Sequence, residues 1–400
     1  MKMRRLAWRG IEMGGYNFYP DKPISNYKRS DMGLIVSVIL LWGIGICTLY
    51  VCSSAYCQKI WGDPFLLAKR QLGASAVGLA GLLFFAFMPL SKIRAMLPGI
   101  IFVTIVLLLC TFVPALNEER NGAKRWVKLP FMRFQPSELA KFAIVLYLAN
   151  FFDKYHNERD LEERTVFPPV VMMVVFSVLI FCENDFSTGV FFILLCLLLF
   201  FISNVKMLWF APMSLLILFA LVMLVLSKSY RVERVMGFIQ PESYSQGVNY
   251  QTNASLRAIS MGGFWGQGIG IGLAKLKSIP EVQSDYIFAG WAEAMGFVGV
   301  ILYFALLCAF AFKAYKSALN CPDRFGAIGT FGCISAIFFQ SIANVAVVCG
   351  AIPSTGIPLP FFSAGGSSMV VTLCMCGFMI NAARVKSDSC FDMENDNERL

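Results

Sequence analysis

Residues 32–58 contain no charged side chain, and a run of that length restricts the possible folds more than any other feature of the chain. A helix crosses the roughly 30 Å hydrocarbon core of a bilayer with about 20 apolar residues, whereas a soluble helix of that length needs a polar face. Comparable apolar stretches follow at residues 71–90, 95–116, 135–152, 166–182, 186–205, 207–227, 286–312, 325–348 and 366–383. The pattern predicts an all-α polytopic membrane protein with about ten transmembrane helices. Hydrophobic residues make up 57% of the chain and charged residues only 15%, more apolar surface than a soluble domain can cover with polar groups. Lipid is the expected solvent for most of it.

Lys2, Arg4, Arg5, Arg9, Lys22, Lys28 and Arg29 precede the first span. Such cations resist translocation, so residues 1–31 read as a basic cytoplasmic tail. An even number of crossings returns residues 385–400, with Asp392, Glu394, Asp396 and Glu398, to the same side. The basic tail is too long for a secretory signal and no small-residue cleavage site follows the first apolar run, so that run is expected to remain as an anchor. Residues 32–384 then form one transmembrane domain, interrupted by a polar, Gly-rich and aromatic extracytoplasmic loop over residues 228–285, between helices seven and eight. Most of the thirteen cysteines fall inside apolar spans and read as small buried hydrophobes. The lone histidine, His156, falls in a cytoplasmic loop, and no Cys or His set has zinc spacing, so no metal site of that kind is expected.

On this topology the unusual residues collect outside. Arg120, Lys124, Arg125, Lys128 and Arg133 run against the bias of positive charge toward the cytoplasm. They serve either an anionic ligand or outer-leaflet head groups. Glu138 sits in the first turn of the fourth span, where a helix dipole favours a negative charge. Lys141, three residues on, shares its face and either neutralises it within the membrane or joins it in holding substrate. Arg231 and Arg234 belong to an expected interfacial helix over residues 230–239, with Val232, Val235 and Ile239 as its apolar stripe and the arginines snorkelling to the head groups. Glu183 and Asp185 stand at the outer mouth, and Asp185 is expected to cap the sixth span.

Residues 260–272 are dense in glycine, which lets backbone approach backbone or a ligand closely. Lys275, Lys277, Glu281 and Asp285 follow. Asp285, immediately before the eighth span, is either a helix cap or a general base whose pKa partial desolvation would raise. Residues 344–368 hold seven Gly and Pro positions between two spans with no charge, and irregular backbone at that depth must be buried in protein or line a wet cavity. That loop is expected to fold over the same outward mouth.

In this order, the segments 121–126, 134–138, 183–188, 262–272, Pro280-Glu281, 285–289, 358–361 and 365–368 resemble the SEDS (shape, elongation, division, sporulation) family of peptidoglycan glycan-chain polymerases. The likeness covers the chain from the third span onward and is nearer the division branch than the elongation branch. Asn184, Ser187 and Gln283-Ser284 depart from the family pattern, which usually has proline, glycine and His-Thr there. The resemblance implies an inner-membrane, septal enzyme that polymerises lipid II, with Asp285 as the catalytic base. It implies Lys124, Arg125 and Lys275 as cations for the departing pyrophosphate, in a cavity completed by Glu138, Lys141 and Glu281. No cofactor is evident; a divalent cation such as Mg2+ can share the anion-stabilising role without the sequence establishing one. Implied partners are a class B penicillin-binding transpeptidase, other divisome membrane proteins and membrane lipids; nucleic acid is not expected. The competing readings are a lipid II flippase and a division scaffold recruiting a transpeptidase. The absence of internal sequence symmetry speaks against the flippase.

Overall fold

The computed structural model describes residues 24–27, 31–120, 123–128, 133–155, 163–203, 225–240, 249–268 and 282–387, with Ser214, Ala220, Val222 and Met223. Three helices open the bundle: α1 (Met32–Trp61), α2 (Leu66–Phe87) and α3 (Leu90–Cys110). A three-stranded antiparallel sheet of β2 (Asn117–Arg120), β3 (Ala123–Lys128) and β4 (Arg133–Phe134) leads into α4 (Pro136–Lys154), α5 (Glu163–Cys182) and α6 (Phe186–Ile202). Two shorter helices, α7 (Ser229–Ile239) and α8 (Tyr250–Gly262), precede α9 (Ile287–Leu319), α10 (Arg324–Val348) and α11 (Gly366–Ala382). The termini of the described chain, β1 (Ile24–Tyr27) and β5 (Val385–Ser387), pair antiparallel.

Among the described residues α1, α2, α3, α9 and α10 are long and apolar enough to cross a membrane, and α6, α11 and residues 167–182 of α5 are shorter apolar helices. The molecule is a polytopic helical membrane protein. Most of the span expected over residues 207–227 lies outside the described residues. Because β1 pairs with β5, the chain enters and leaves the bundle at one end, which requires an even number of crossings.

The helix ends follow from local chemistry. The Asp31 carboxylate accepts the Gly33 N–H at 2.8 Å and opens α1, while Gly62, in the left-handed region at φ 72, closes it. In α4, which lies at the centre of the bundle, fourteen of the nineteen residues are buried and only Lys154 is exposed, and α3, α6 and α10 pack around it. A central helix surrounded by other helices has no lipid or water face, which is why its sequence shows little amphipathic bias.

Helices α2 and α11 make the closest pair. A Cβ on Gly78 would sit 3.1 Å from the Val370 Cα, and one on Gly377 would sit 2.3 Å from the Leu82 carbonyl oxygen. Asn381 further along donates to the Phe85 carbonyl. Contacts that advance together along both helices mean that the two run parallel, with small residues letting their backbones meet. Both N-termini therefore point to the end opposite the β1–β5 sheet.

That sheet end is locked by Arg94, which reaches Asp153 at 2.5 Å and Asp323 at 2.6 Å and so ties the starts or ends of α3, α4 and α10. At the opposite end the glycine run is largely structural. Helix α9 is broken at Gly296 (φ 64), and residues 263–268 fill the break, with Gln267 N–H bonding Glu293 O and Phe297 N–H bonding Gly263 O. A Cβ on Gly266 would meet the Ala294 oxygen at 2.3 Å, so only glycine permits this approach. The expected interfacial helix is present as α7, but Arg231 does not snorkel. It is buried under the Phe186 ring at 5.1 Å and donates to the Tyr230 hydroxyl, since a stacked guanidinium is stabilised there.

Candidate functional site

A cavity of about 970 Å³ opens at the end of the bundle opposite the β1–β5 sheet. Its wall is assembled from α1 (Tyr56, Trp61), α2 (Arg70, Gln71), β3 (Arg125) and the segment before α9 (Asp285), closed by residues 356–368. The Gly- and Pro-rich loop thus lies over the mouth. Asn344, buried in α10, holds it there by donating to the backbone oxygens of both Asp285 (2.8 Å) and Ile357 (2.9 Å). Ser363 adds a second clasp: its hydroxyl donates to the Ser284 carbonyl and accepts the Leu359 N–H at 2.8 Å, and Ala364 N–H reaches the Gln283 oxygen at 2.8 Å. Side chains that bond two backbone segments fix the segments' separation, so the position of Asp285 is set by α10 and the loop together.

Asp285 is half-buried and precedes the N-cap of α9, Tyr286, which makes no capping hydrogen bond through its side chain. The Asp285 carboxylate turns instead toward the cavity. A Cβ on Gly356 would lie 3.6 Å from Asp285 Oδ2 and 3.3 Å from Arg125 Nη1, so the carboxylate and the guanidinium face one point across a glycine. Arg125 is steered by Asp185, 3.5 Å from its Nη1. Asp185 is the N-cap of α6, as expected, accepting the Thr188 N–H, and it also accepts from Gln135 at 3.0 Å. The Arg125 Nε is buried with no hydrogen-bond partner among the described residues.

The other residues singled out in the sequence fall in different places. Lys124 is exposed and off the cavity wall; its backbone N–H bonds the Glu183 oxygen at 3.1 Å. Glu138 and Lys141 pair with each other at 2.9 Å, both buried, and Lys141 also donates to Gln340, which hands on a hydrogen bond to the Pro358 oxygen. They lie off the wall, and their network reaches it through Pro358, which is on the wall. Lys275 and Glu281 lie outside the described residues.

Three features of the site go beyond the sequence reading, which missed Arg70, quoted Ser367 and Ser368 only within a resembling segment, and gave Glu183 only as a carboxylate at the outer mouth. Arg70 lines the cavity from the first turns of α2, having been hidden by a search for uncharged runs that clipped this helix at Gln71. Ser367 and Ser368 line it from the first turn of α11, and both hydroxyls are buried and unpartnered. Glu183 is fully buried, and burial pushes its carboxyl up to about 8. The Thr111 hydroxyl lies 2.6 Å from the Leu108 oxygen and 3.0 Å from Glu183 Oε1. The hydroxyl donates toward both oxygens, and its bond to Glu183 favours the carboxylate and offsets part of the effect of burial.

Comparison with known proteins agrees with this architecture. A family model described as "Cell cycle protein", covering FtsW, RodA and SpoVE, matches residues 32–388. The chain is 30% identical to a probable peptidoglycan glycosyltransferase FtsW of Geobacter sp. (strain M18), over 88% of this chain and 96% of that one. It is 31% identical to the stage V sporulation protein E of Bacillus subtilis (strain 168), over 88% and 97%. Among solved structures, a chain from a peptidoglycan synthase complex that coordinates polymerization and crosslinking superposes with a TM-score of 0.69 at 25% identity, covering 88% of this chain and 97% of that chain. The rod shape determining protein RodA of Thermus thermophilus shares the fold, with a TM-score of 0.65 at 23% identity over 88% and 96%. Motif order, fold and family match converge, and this chain belongs to the FtsW, RodA and SpoVE family of cell cycle proteins, the SEDS family that its motifs resemble.

Proposed function

We propose that the protein is a peptidoglycan glycosyltransferase that polymerises lipid II in the plane of the membrane during septal wall synthesis. The observation that carries this reading is the pairing of Asp285 and Arg125 across Gly356, at the mouth of a cavity large enough for a disaccharide and walled by apolar helices. The family membership and the relatives named as peptidoglycan glycosyltransferases support it.

In this mechanism the 4-hydroxyl oxygen of one lipid II attacks the anomeric carbon of another. The new glycosidic bond forms as the bond from that carbon to the lipid diphosphate breaks, and the diphosphate leaves with the electron pair. Asp285 takes the hydroxyl proton as general base. Arg125 meets the charge that develops on the diphosphate, with a planar fork suited to two phosphate oxygens. Lys124, exposed at the rim, attracts the anion from outside, and Lys275 and Glu281 complete the motif. Glu138 and Lys141 hold the loop over the cavity through Gln340. Among the described residues no group of three or more Asp, Glu, His or Cys stands together to hold a metal ion, and Glu118 on the wall is already paired with Arg133 at 2.9 Å. A divalent cation such as Mg2+ would enter on the substrate's diphosphate and add to the charge stabilisation there.

The orientation that fits is extracytoplasmic for the cavity and cytoplasmic for both termini, in the bacterial inner membrane. A class B penicillin-binding transpeptidase is the proposed partner, in keeping with the neighbouring structure's pairing of polymerization with crosslinking, alongside other divisome proteins. Purified protein given labelled lipid II, with and without that transpeptidase, should yield glycan strands, and Asp285→Ala should yield none. Transfer of lipid II between leaflets without chain growth would replace this reading with a flippase.

A further inference from the structure

We infer that the N-terminus of α11 is a phosphate cradle that grips the diphosphate of the polyprenyl carrier, an inference that rests on the lipid II reading above. Its components are the backbone N–H groups of residues 366–368 and the hydroxyls of Ser367 and Ser368.

The backbone supplies the first part. Helix α11 spans seventeen residues, and the N–H groups of its first turn have no intrahelical acceptor. Its N-cap is Gly365, which has no side chain to cap it. A helix N-terminus carries the positive end of the macrodipole together with free donors, which is the arrangement that binds phosphate. Gly365, Gly366, Ser367 and Ser368 all line the cavity.

The side chains supply an independent observation. Ser367 is 0% exposed and Ser368 5% exposed, and neither Oγ has a hydrogen-bond partner among the described residues. A serine inside a helix ordinarily turns its hydroxyl back onto a carbonyl of the preceding turn, as Ser341 does onto Ile337 O at 2.8 Å. These two sit in the first turn, and the residues one turn back belong to the loop over the cavity mouth. Leaving a buried hydroxyl unmatched costs about 1–3 kcal/mol; Ser53 and Ser203 are unmatched elsewhere in the bundle, but among the described residues only Ser367 and Ser368 place such hydroxyls side by side on the cavity wall, where a ligand can restore the bonds.

Charge completes the cradle. Because α2 and α11 run parallel, the first turns of α2 lie beside the start of α11, and Gln71 reaches the Ser363 oxygen at 3.1 Å. Arg70, next to Gln71, lines the cavity there and makes no hydrogen bond or ion pair with a described residue. A diphosphate spanning from Arg125 to Arg70 would meet the N-terminus of α11 along the same wall. Its apolar tail would leave the cavity past Tyr56 and Trp61 of α1.

The test measures binding rather than turnover. Protein in phosphatidylcholine nanodiscs is titrated with farnesyl diphosphate, farnesyl monophosphate and farnesol. Wild-type protein should prefer the diphosphate, Ser367→Ala/Ser368→Ala should weaken it about tenfold, and Ser368→Asp should abolish it through charge repulsion. Farnesol should bind all three proteins alike, which together with an unchanged melting temperature shows that the fold is kept. Equal diphosphate affinity in wild type and the double alanine variant would overturn the cradle. So would loss of the serine effect in nanodiscs containing phosphatidylglycerol, which would assign the site to lipid head groups. Asp285→Asn removes a negative charge that faces the same point as Arg125 and should bind farnesyl diphosphate at least as tightly as wild type. If that variant still polymerises while the serine variants lose affinity, the catalytic assignment falls and the cradle stands.

Discussion

Lys141, sunk into the centre of the bundle, and Arg125, on β3 at the cavity, are both cations beside a carboxylate, but their surroundings differ. Lys141 is 2% exposed, pairs with Glu138, donates to Gln340 and leaves no orphaned polar atom in that network. Arg125 meets Asp185 only at 3.5 Å, leaves Nε without a partner, and faces a cavity whose wall also carries the two unmatched serine hydroxyls. An unmatched buried polar group is costly unless something binds it. Unmatched atoms also occur away from the cavity, as at Asp323 Oδ2 in the Arg94 lock, so it is an unmatched atom on the cavity wall that separates a ligand-facing charge from a structural one.

The sharpest break of this comparison is at Asp285. Asp285→Asn keeps the shape and removes the base, so glycan polymerisation should drop by about 10²- to 10⁴-fold, with the melting temperature in detergent unchanged. Loss of the fold instead would place Asp285 in the structural class with Lys141. The converse substitution, Lys141→Met, leaves Glu138 buried and alone and should cost about 3–5 kcal/mol of stability. Adding Glu138→Gln should recover most of that loss, measured by thermal melting of the single and double variants. A single variant as stable as wild type would show that the pair does not hold the bundle. Arg125→Lys retains a charge but not the fork. It should slow polymerisation by about ten- to a hundredfold while shifting the melting temperature little; a large loss of stability with normal turnover of the folded fraction would reverse its assignment.

Much of this architecture was legible from length and charge alone. The apolar runs at residues 325–348 and 366–383 coincide with α10 and α11 to within a residue, because a bilayer imposes both a minimum length and an absence of charge. The same rule concealed Arg70, since a helix may begin with a cation at the membrane boundary and the uncharged run then starts too late. Asp185 as a cap could be read locally, but its grip on Arg125, sixty positions away, depends on how β3 docks beside α6. Glu138 and Lys141 were readable as neighbours on one face; that they lie off the wall depends on Gln340, which is remote in sequence. Ser367 and Ser368 were legible only as part of the segment 365–368, because small hydroxyl residues at a helix start are ordinary. Their missing partners on the cavity wall mark the cradle.

Glu183 stands between the two classes, buried as deeply as Lys141 but placed two residues from the anchor of Arg125, and pH can sort it. Its carboxyl moves from 4.5 to about 8, first through burial, then through the opposing Thr111 contact, repulsion from Asp185 and attraction by Arg125. The folded state therefore holds this proton across a range in which the unfolded chain has released it, so folding stability falls as pH rises from about 4.5 to about 8 and levels off above. Glu183→Gln cannot ionise. Its melting temperature should match wild type near the bottom of that range and exceed it increasingly toward the top, by a few degrees at the upper limit. Parallel curves for the two proteins would mean that Glu183 is already ionised at neutral pH and belongs with the ligand-facing charges. Converging curves at low pH place it among the closed contacts that hold the Asp185 loop, and with it Arg125, against the bundle.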